Sequence, residues 1–366
     1  MAPRARGDDR RRDRAESRRA PRRRGDGTGP FALGWGAGRD RGGVRMGVLI
    51  LGYDDVRALL DMESCIDAME DVLGALTRDE LINPLRRGLL APDKRILGQM
   101  PAWRGGDDPV FALKEIVISP DNSKIGLDPH QGTVILHDGT TGLVRAVLNA
   151  SAVTEIRTAA VSALATKLLA AGPPRRVAIL GAGVQARSHA EAMRAIAPDC
   201  ELVVWSRTPA SAEAVALEAH GVVAASAEQA LAGADVVCTC TSAREPMLDR
   251  SWLGPGAHLN VVGSSIPSAR EVDTQTMVDA SLFVDRRESV LNEAGDYLLA
   301  AAEGAIGPEH ILAELGEVVV GAHPGRTRAD EITLFKSQGI AVEDLASAEL
   351  CYTRARERGV GTEVDL

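Results

Sequence analysis

The chain has 366 residues, 45% of them hydrophobic, enough for two domains, and no apolar run approaches the ~20 residues of a membrane span. Its net charge of −9 conceals two parts: residues 1–45 carry 14 Arg against 6 acidic residues, and the remainder carries 28 basic against 45 acidic residues. An acidic body speaks against nucleic acid as a partner, and no membrane association is expected.

Residues 1–45 are rich in Arg, Gly and Asp, with almost no apolar periodicity before Phe31, so this tail is expected to be disordered and without function. Interspersed acids and the lack of an apolar core set aside a transit or secretory signal, and Met46 is an alternative start. A short strand is expected at 48–51, then a helix capped by Asp54 or Asp55, and a second helix at about 66–76. Pro84 ends this region. Alternating segments at 88–91, 95–100, 110–118, 132–136 and 143–149 read as an antiparallel or mixed sheet. An Ala-rich helix is expected at 151–171, with Leu164, Leu168 and Leu169 on one side, and Gly172-Pro173-Pro174 follows it.

Val177-Ala178-Ile179-Leu180 is an apolar run of strand length, followed at once by Gly181-Ala182-Gly183 and an Ala-rich helical stretch from Val184. Strand, glycine turn and helix in this order open a dinucleotide-binding unit. Gly181 permits the tight turn, Gly183 lets a pyrophosphate approach the backbone, and Ala186 allows helix and strand to pack closely. The helix N-terminus, from Val184 and Gln185, presents free N–H groups to the phosphates. After the second strand, at 201–205, stand Ser206-Arg207-Thr208 in place of the acid that holds a ribose 2′-OH. This group suits a 2′-phosphate, so NADP(H) is expected in preference to NAD(H). Further strands at 222–224, 236–241, 258–262 and 281–284 alternate with helices, which predicts a doubly wound parallel sheet of Rossmann type. A helix is expected near 311–315 and a last one at about 343–356.

Five cysteines (Cys65, Cys200, Cys238, Cys240, Cys351) are scattered without a metal-ligand pattern, and read as free thiols in a reducing cytoplasm. No metal site is expected. Arg86 or Arg87, Lys114 and Arg157 stand in apolar or small surroundings, a basic group of the kind a carboxylate substrate needs.

From Val48 to Asp365 the chain resembles the ornithine cyclodeaminase/mu-crystallin family. The resemblance is carried by Asn83-Pro84-Leu85-Arg86, the Lys114 strand, Gly139-Thr140-Thr141-Gly142, Thr154-Glu155-Ile156-Arg157-Thr158-Ala159-Ala160 and the glycine turn. Ala313-Glu314-Leu315-Gly316-Glu317 and the stretch from Thr333 to Asp344 complete it. It implies an α/β architecture: an α+β substrate-binding and dimerisation domain over residues 46–160, to which 340–366 return, and a Rossmann dinucleotide-binding domain over 161–339. It also implies a cytoplasmic homodimer.

The same resemblance implies that Arg86 and Arg157 hold a substrate carboxylate, with Lys114 acting near the reacting nitrogen. Thr241, Ser242, Gly263, Ser264, Lys336 and Ser337 would lie by the nicotinamide and its ribose. True cyclodeaminases of the family resemble one another in an Asp where this chain has Ser265, in a Glu where it has Gln99, and in an acid after the second strand. These departures favour the mu-crystallin side, similar to NADPH-dependent ketimine reductases, where Glu293 matches a pocket acid and a candidate proton donor. The expected function is reduction of an imino-acid C=N bond, or its reverse. The alternatives are cyclodeamination of an amino acid such as ornithine, and non-catalytic binding of NADPH or a small ligand.

Overall fold

The computed structural model describes residues 47–365 apart from Lys94 and Pro129. The Arg-rich tail and Met46 lie outside the described residues. The chain begins with β1 (Val48–Leu51), α1 (Tyr53–Leu59) and α2 (Met62–Thr77). Strands β2 (Leu81–Ile82), β3 (Arg87–Leu90), β4 (Ile96–Arg104), β5 (Val110–Ile118), β6 (His130–Asp138) and β7 (Val144–Asn149) follow. The long helix α3 (Ala150–Leu169) leads to β8 (Arg176–Leu180), α4 (Val184–Ile196), β9 (Glu201–Trp205), α5 (Pro209–Glu218), β10 (Val222–Val223) and α6 (Ala227–Leu231). Next come β11 (Val236–Thr239), β12 (His258–Val261), α7 (Thr274–Asp279), β13 (Ser281–Val284), α8 (Arg287–Glu293) and α9 (Gly295–Ala302). The chain closes with β14 (Ile311–Glu314), α10 (Leu315–Val319), β15 (Thr333–Lys336), α11 (Ala341–Arg358) and β16 (Thr362–Val364).

Two eight-stranded sheets result. The first runs β16-β1-β7-β6-β5-β4-β2, with β3 on β4, and is mixed because β1 pairs parallel to β7 while its other neighbours are antiparallel. The second runs β10-β9-β8-β11-β12-β15-β13-β14 and is parallel throughout. Its order reverses at β8 and β11, the switch point outside whose carboxyl ends such sheets bind ligands.

Local chemistry explains the element ends. Asp61 caps α2 by accepting the Ser64 N–H at 2.9 Å. Helix α1 is capped differently from expectation: Gly52 is the N-cap, and Asp55 reaches back from inside the first turn to its N–H at 2.9 Å. Asn149 caps α3 through the Ala152 N–H at 3.0 Å. α3 is buried on nearly every side, and packs on β6 of the first sheet and on β12 and β15 of the second. Small Ala, Ser and Thr side chains suit a helix enclosed in this way. The residues after β15 leave the parallel sheet: α11 packs on β4, β5 and β6, and β16 pairs with β1.

The helix expected near 311–315 is instead the strand β14, parallel to β13, and helix starts only at Leu315. Ile311 and Ala313 are buried while Leu312 is exposed, a period of two that four residues barely distinguish from a helix turn. No described helix is long and apolar enough to cross a membrane, and the five cysteines are free.

Candidate active site

Basic and acidic side chains from six segments meet between the two sheets. Lys114 projects from β5, whose even-numbered residues face inward. It is 2% exposed; its Nζ lies 2.9 Å from Oδ2 of Asp344 and donates to Thr154 Oγ1 at 3.1 Å. Arg157, on α3, shares that carboxylate: its Nε donates to Asp344 Oδ1 at 3.0 Å and its Nη1 to Glu343 Oε2 at 2.7 Å. Gly339 has a φ of +71°, and a Cβ there would run into the Arg157 guanidinium.

Arg86, between β2 and β3, forms an ion pair of 2.7 Å with Glu293 at the end of α8 and donates to the Gln338 carbonyl at 2.7 Å. Arg87, the other residue considered, is exposed. A small cavity beside Arg86 is lined by Asn83, Pro84, Met100, Ser289 and Ile340. Buried Asp285, at the end of β13, accepts the N–H groups of Gln338 and Gly339 at 2.6 and 2.7 Å, which fixes the turn after β15.

Burial sets the electrostatics. It pulls the Lys114 ammonium down to about 8, against the attraction of Asp344. It pushes the Glu343 carboxyl up to about 8, against Arg157, and raises Glu293 against Arg86. The site thus holds an ammonium and two carboxyls drawn toward neutral pH, the range in which proton transfer is most effective.

At the carboxyl ends of the second sheet, Gly181 has a φ of +130°, and a Cβ there would meet the Cys240 carbonyl. Gly183, the N-cap of α4, has open space where a Cβ would stand. Ala186 is buried, Val184 is exposed, and Gln185 reaches the Thr154 carbonyl with its amide nitrogen at 3.4 Å. Ser206 and Thr208 bond to each other after β9, and Arg207 is exposed with no protein partner among the described residues. Thr241 and Ser242 follow β11; Gly263 and Ser264 follow β12.

The fold gives three of the singled-out residues settings that the sequence did not suggest. Lys336, expected beside the nicotinamide, is completely buried; it pairs with Asp296 at 3.1 Å and donates to the Ser264 carbonyl at 2.7 Å, so it supports the Gly263-Ser264 loop from beneath. Ser264 is turned inward too, with its hydroxyl on the Ala269 carbonyl. Gln99 pairs opposite Glu115, and Met100 opposite Lys114, so strand alternation puts Gln99 on the other face of the sheet. Its difference from a cyclodeaminase Glu therefore does not bear on the site around Lys114 in this chain.

Sequence reasoning missed Glu343, Asp344 and Asp285, which hold Arg157, Lys114 and the turn after β15. Glu343 and Asp344 stand at the start of α11, where acids read as ordinary first-turn residues. The only available signal was their place in the stretch that carries the family resemblance. Several buried polar atoms lack a protein partner among the described residues: Gln185 Oε1, Ser337 Oγ, both side-chain polar atoms of Gln338, and Glu343 Oε1. Such atoms in a fold are ordinarily satisfied by water or ligand.

The model of the ornithine cyclodeaminase/mu-crystallin family matches residues 48–359. The chain is 42% identical to the ketimine reductase mu-crystallin of Mus musculus over 265 residues, 72% of this chain and 82% of that protein. Among solved structures, it is similar to the Delta(1)-pyrroline-2-carboxylate reductase of Thermococcus litoralis in complex with NADH and L-proline, with a TM-score of 0.83, 35% identity, and coverage of 87% of this chain and all of that one (100%). It is also similar to an archaeal alanine dehydrogenase dimer with bound NAD, with a TM-score of 0.82, 30% identity, and coverage of 87% and 100%.

Proposed function

The chain belongs to the ornithine cyclodeaminase/mu-crystallin family, and from that premise we propose that it is an NAD(P)H-dependent oxidoreductase that reduces the C=N bond of an imino or ketimine carboxylate. The same parts serve the reverse oxidation of an amino acid. The observation that carries this reading is the buried Lys114, held between Arg157 and Thr154 by Asp344, with Arg86 and Glu293 in the same site. The mouse relative is named a ketimine reductase and the Thermococcus relative a Delta(1)-pyrroline-2-carboxylate reductase, which supports C=N reduction here.

The cofactor fits the residues present. Open space over Gly183, the N-terminus of a 13-residue helix and unpartnered buried polar atoms suit a dinucleotide. Gly181, Gly183, Val184, Gln185 and Ala186 would hold the pyrophosphate, and Thr241, Ser242, Gly263 and Ser337 would border the nicotinamide half. Arg207, exposed and without a protein partner among the described residues, with Ser206 and Thr208 beside it, favours NADP(H) over NAD(H) through a 2′-phosphate. When bound, the reduced nicotinamide supplies the hydride for the imine carbon.

The protein's own residues do the rest. Arg86 and Arg157 would bind the substrate carboxylate, which must exchange with Glu293 and Glu343 for their guanidinium groups. Lys114 would keep the imine nitrogen protonated, since the iminium accepts hydride far more readily, and Glu293, once released from Arg86, would relay the proton. Asp344 orients both Lys114 and Arg157 and is a positioning residue. Residues 46–160 with 340–366 act as the substrate and dimerisation domain, and 161–339 as the dinucleotide domain.

The outer face of the first sheet supports a homodimer: Leu89, Phe111 and Val117, which share that face by strand register, are 64%, 48% and 41% exposed, and Trp103 stacks obliquely on Phe111. A cytoplasmic location is part of this reading. The test is NADPH consumption with a cyclic imino acid: Lys114→Ala should lower turnover by about 10²–10⁴-fold. Unchanged turnover would remove Lys114 from the chemistry.

A further inference from the structure

Buried Glu271, which has no place in the chemistry above, joins the two loops at the carboxyl ends of β11 and β12. Its Oε1 accepts the Thr241 N–H and the Thr241 hydroxyl, each at 2.7 Å. Its Oε2 accepts the Gly263 N–H at 2.6 Å and the Thr239 hydroxyl at 2.7 Å. An ionised carboxylate has about four acceptor positions, and four donors fill them. One backbone N–H from each loop is engaged, on opposite oxygens, so the carboxylate fixes the separation of the loops. The loops are also in close contact: at Gly263 a Cβ would run into the Thr241 carbonyl and the Glu271 carboxylate.

Glu271 is itself held from behind. Its N–H and that of Val272 donate to Asp296 at 2.7 and 3.2 Å, and Asp296 pairs with Lys336, which in turn donates to the Ser264 carbonyl. On the other side, Cys240 abuts the glycine turn of Gly181. The carboxylate therefore stands behind the whole crevice at the carboxyl ends of β8, β11 and β12.

We propose that Glu271 is a positioning residue for the dinucleotide, setting the shape of the Thr241 and Gly263 loops without touching the ligand. The inference rests on the reading of these loops as the nicotinamide side of the cofactor site. Glu271→Gln keeps size and shape but replaces one acceptor oxygen by an NH₂ that faces two donors. The Thr hydroxyl on that side can turn to accept from the NH₂, but the backbone N–H cannot, so that N–H is left unpaired and the loop it held is released.

The experiment is NADPH titration of the purified full chain by nicotinamide fluorescence, with steady-state kinetics on a cyclic imino acid and thermal melting of the ligand-free protein. For Glu271→Gln the NADPH Kd should rise at least about tenfold, while the KM of the imino acid at saturating NADPH stays within about twofold. Thr239→Val removes a single donor from the same carboxylate and leaves both loop N–H bonds. If Glu271→Gln does not fold, Thr239→Val should still weaken NADPH by about threefold. A lower melting temperature with unchanged NADPH affinity would overturn the proposal, since Glu271 would then serve stability alone. Wild-type protein that binds no dinucleotide would overturn the cofactor reading itself, an outcome distinct from an unaffected variant.

Discussion

Lys114 shows how burial changes an ordinary residue. Its ammonium, drawn down to about 8 by loss of solvent, remains charged at neutral pH because Asp344 stands 2.9 Å away. If the protonated form is the one that activates the imine, kcat/KM for reduction should fall as pH rises through about 8. In Lys114→Arg, whose guanidinium stays charged, any remaining activity should lack that limb; a limb at the same pH in this variant would assign it to another group. Arg207 offers a second test at this scale. Arg207→Ala should raise the KM for NADPH about tenfold and leave that for NADH nearly unchanged, because only a 2′-phosphate needs the guanidinium. Equal losses with both cofactors would contradict the NADP preference. Arg86 or Arg87, Lys114 and Arg157 stood out in the sequence as charges in small or apolar surroundings, and the family resemblance selected Arg86. Of their acidic partners only Glu293 was named, through the family resemblance; Glu343 and Asp344 were not, since Arg157 and Asp344 are 187 positions apart and only the folded chain brings them to 3.0 Å.

At the scale of elements, the strand–turn–helix from Arg176 to Ile196 was the most legible part of the chain, because its glycines have separate physical duties. Gly181 has a left-handed backbone and no room for a Cβ, whereas Gly183 has room. Gly183→Ala should therefore melt within a few degrees of wild type yet bind NADPH about tenfold or more weakly, while Gly181→Ala should lose stability as well. Equal stability losses in the two variants would refute this division. The short strand β14 was misread as helix, since four residues carry too little periodicity. The burial of α3 on nearly all sides was also invisible, as both sheets that enclose it form from distant segments.

Two histidines connect these elements to pH. His189 of α4 bonds to Ser162 of α3 at 2.9 Å, and His258 of β12 to Thr333 of β15 at 2.9 Å. Burial lowers His189 from 6.5 to about 4 and His258 to about 3. The unfolded chain takes up these protons below about pH 6.5 while the folded chain refuses them, so stability should decline as pH falls from 6.5 toward 4. Thermal melting in a pH series checks this; a Tm that rises between pH 6.5 and pH 5 would contradict it.

For the whole molecule, the division into two sheets follows from hydrophobic period, and the family resemblance spans nearly all of the described chain. The proposed homodimer uses the outer face of the first sheet. Phe111→Glu, which puts a charge into that face without reaching the core, should yield monomers by light scattering; an unchanged dimer would move the interface elsewhere. The central claim concerns what the assembled site does, and one paired assay tests it most directly. Purified protein is given NADPH with a panel of cyclic imino acids, and separately ornithine with catalytic NAD⁺. The account predicts consumption of NADPH with an imino acid, dependent on Lys114, and no ammonia from ornithine. Ammonia release from ornithine without net change in the cofactor, and no NADPH consumption with any imino acid, would contradict it.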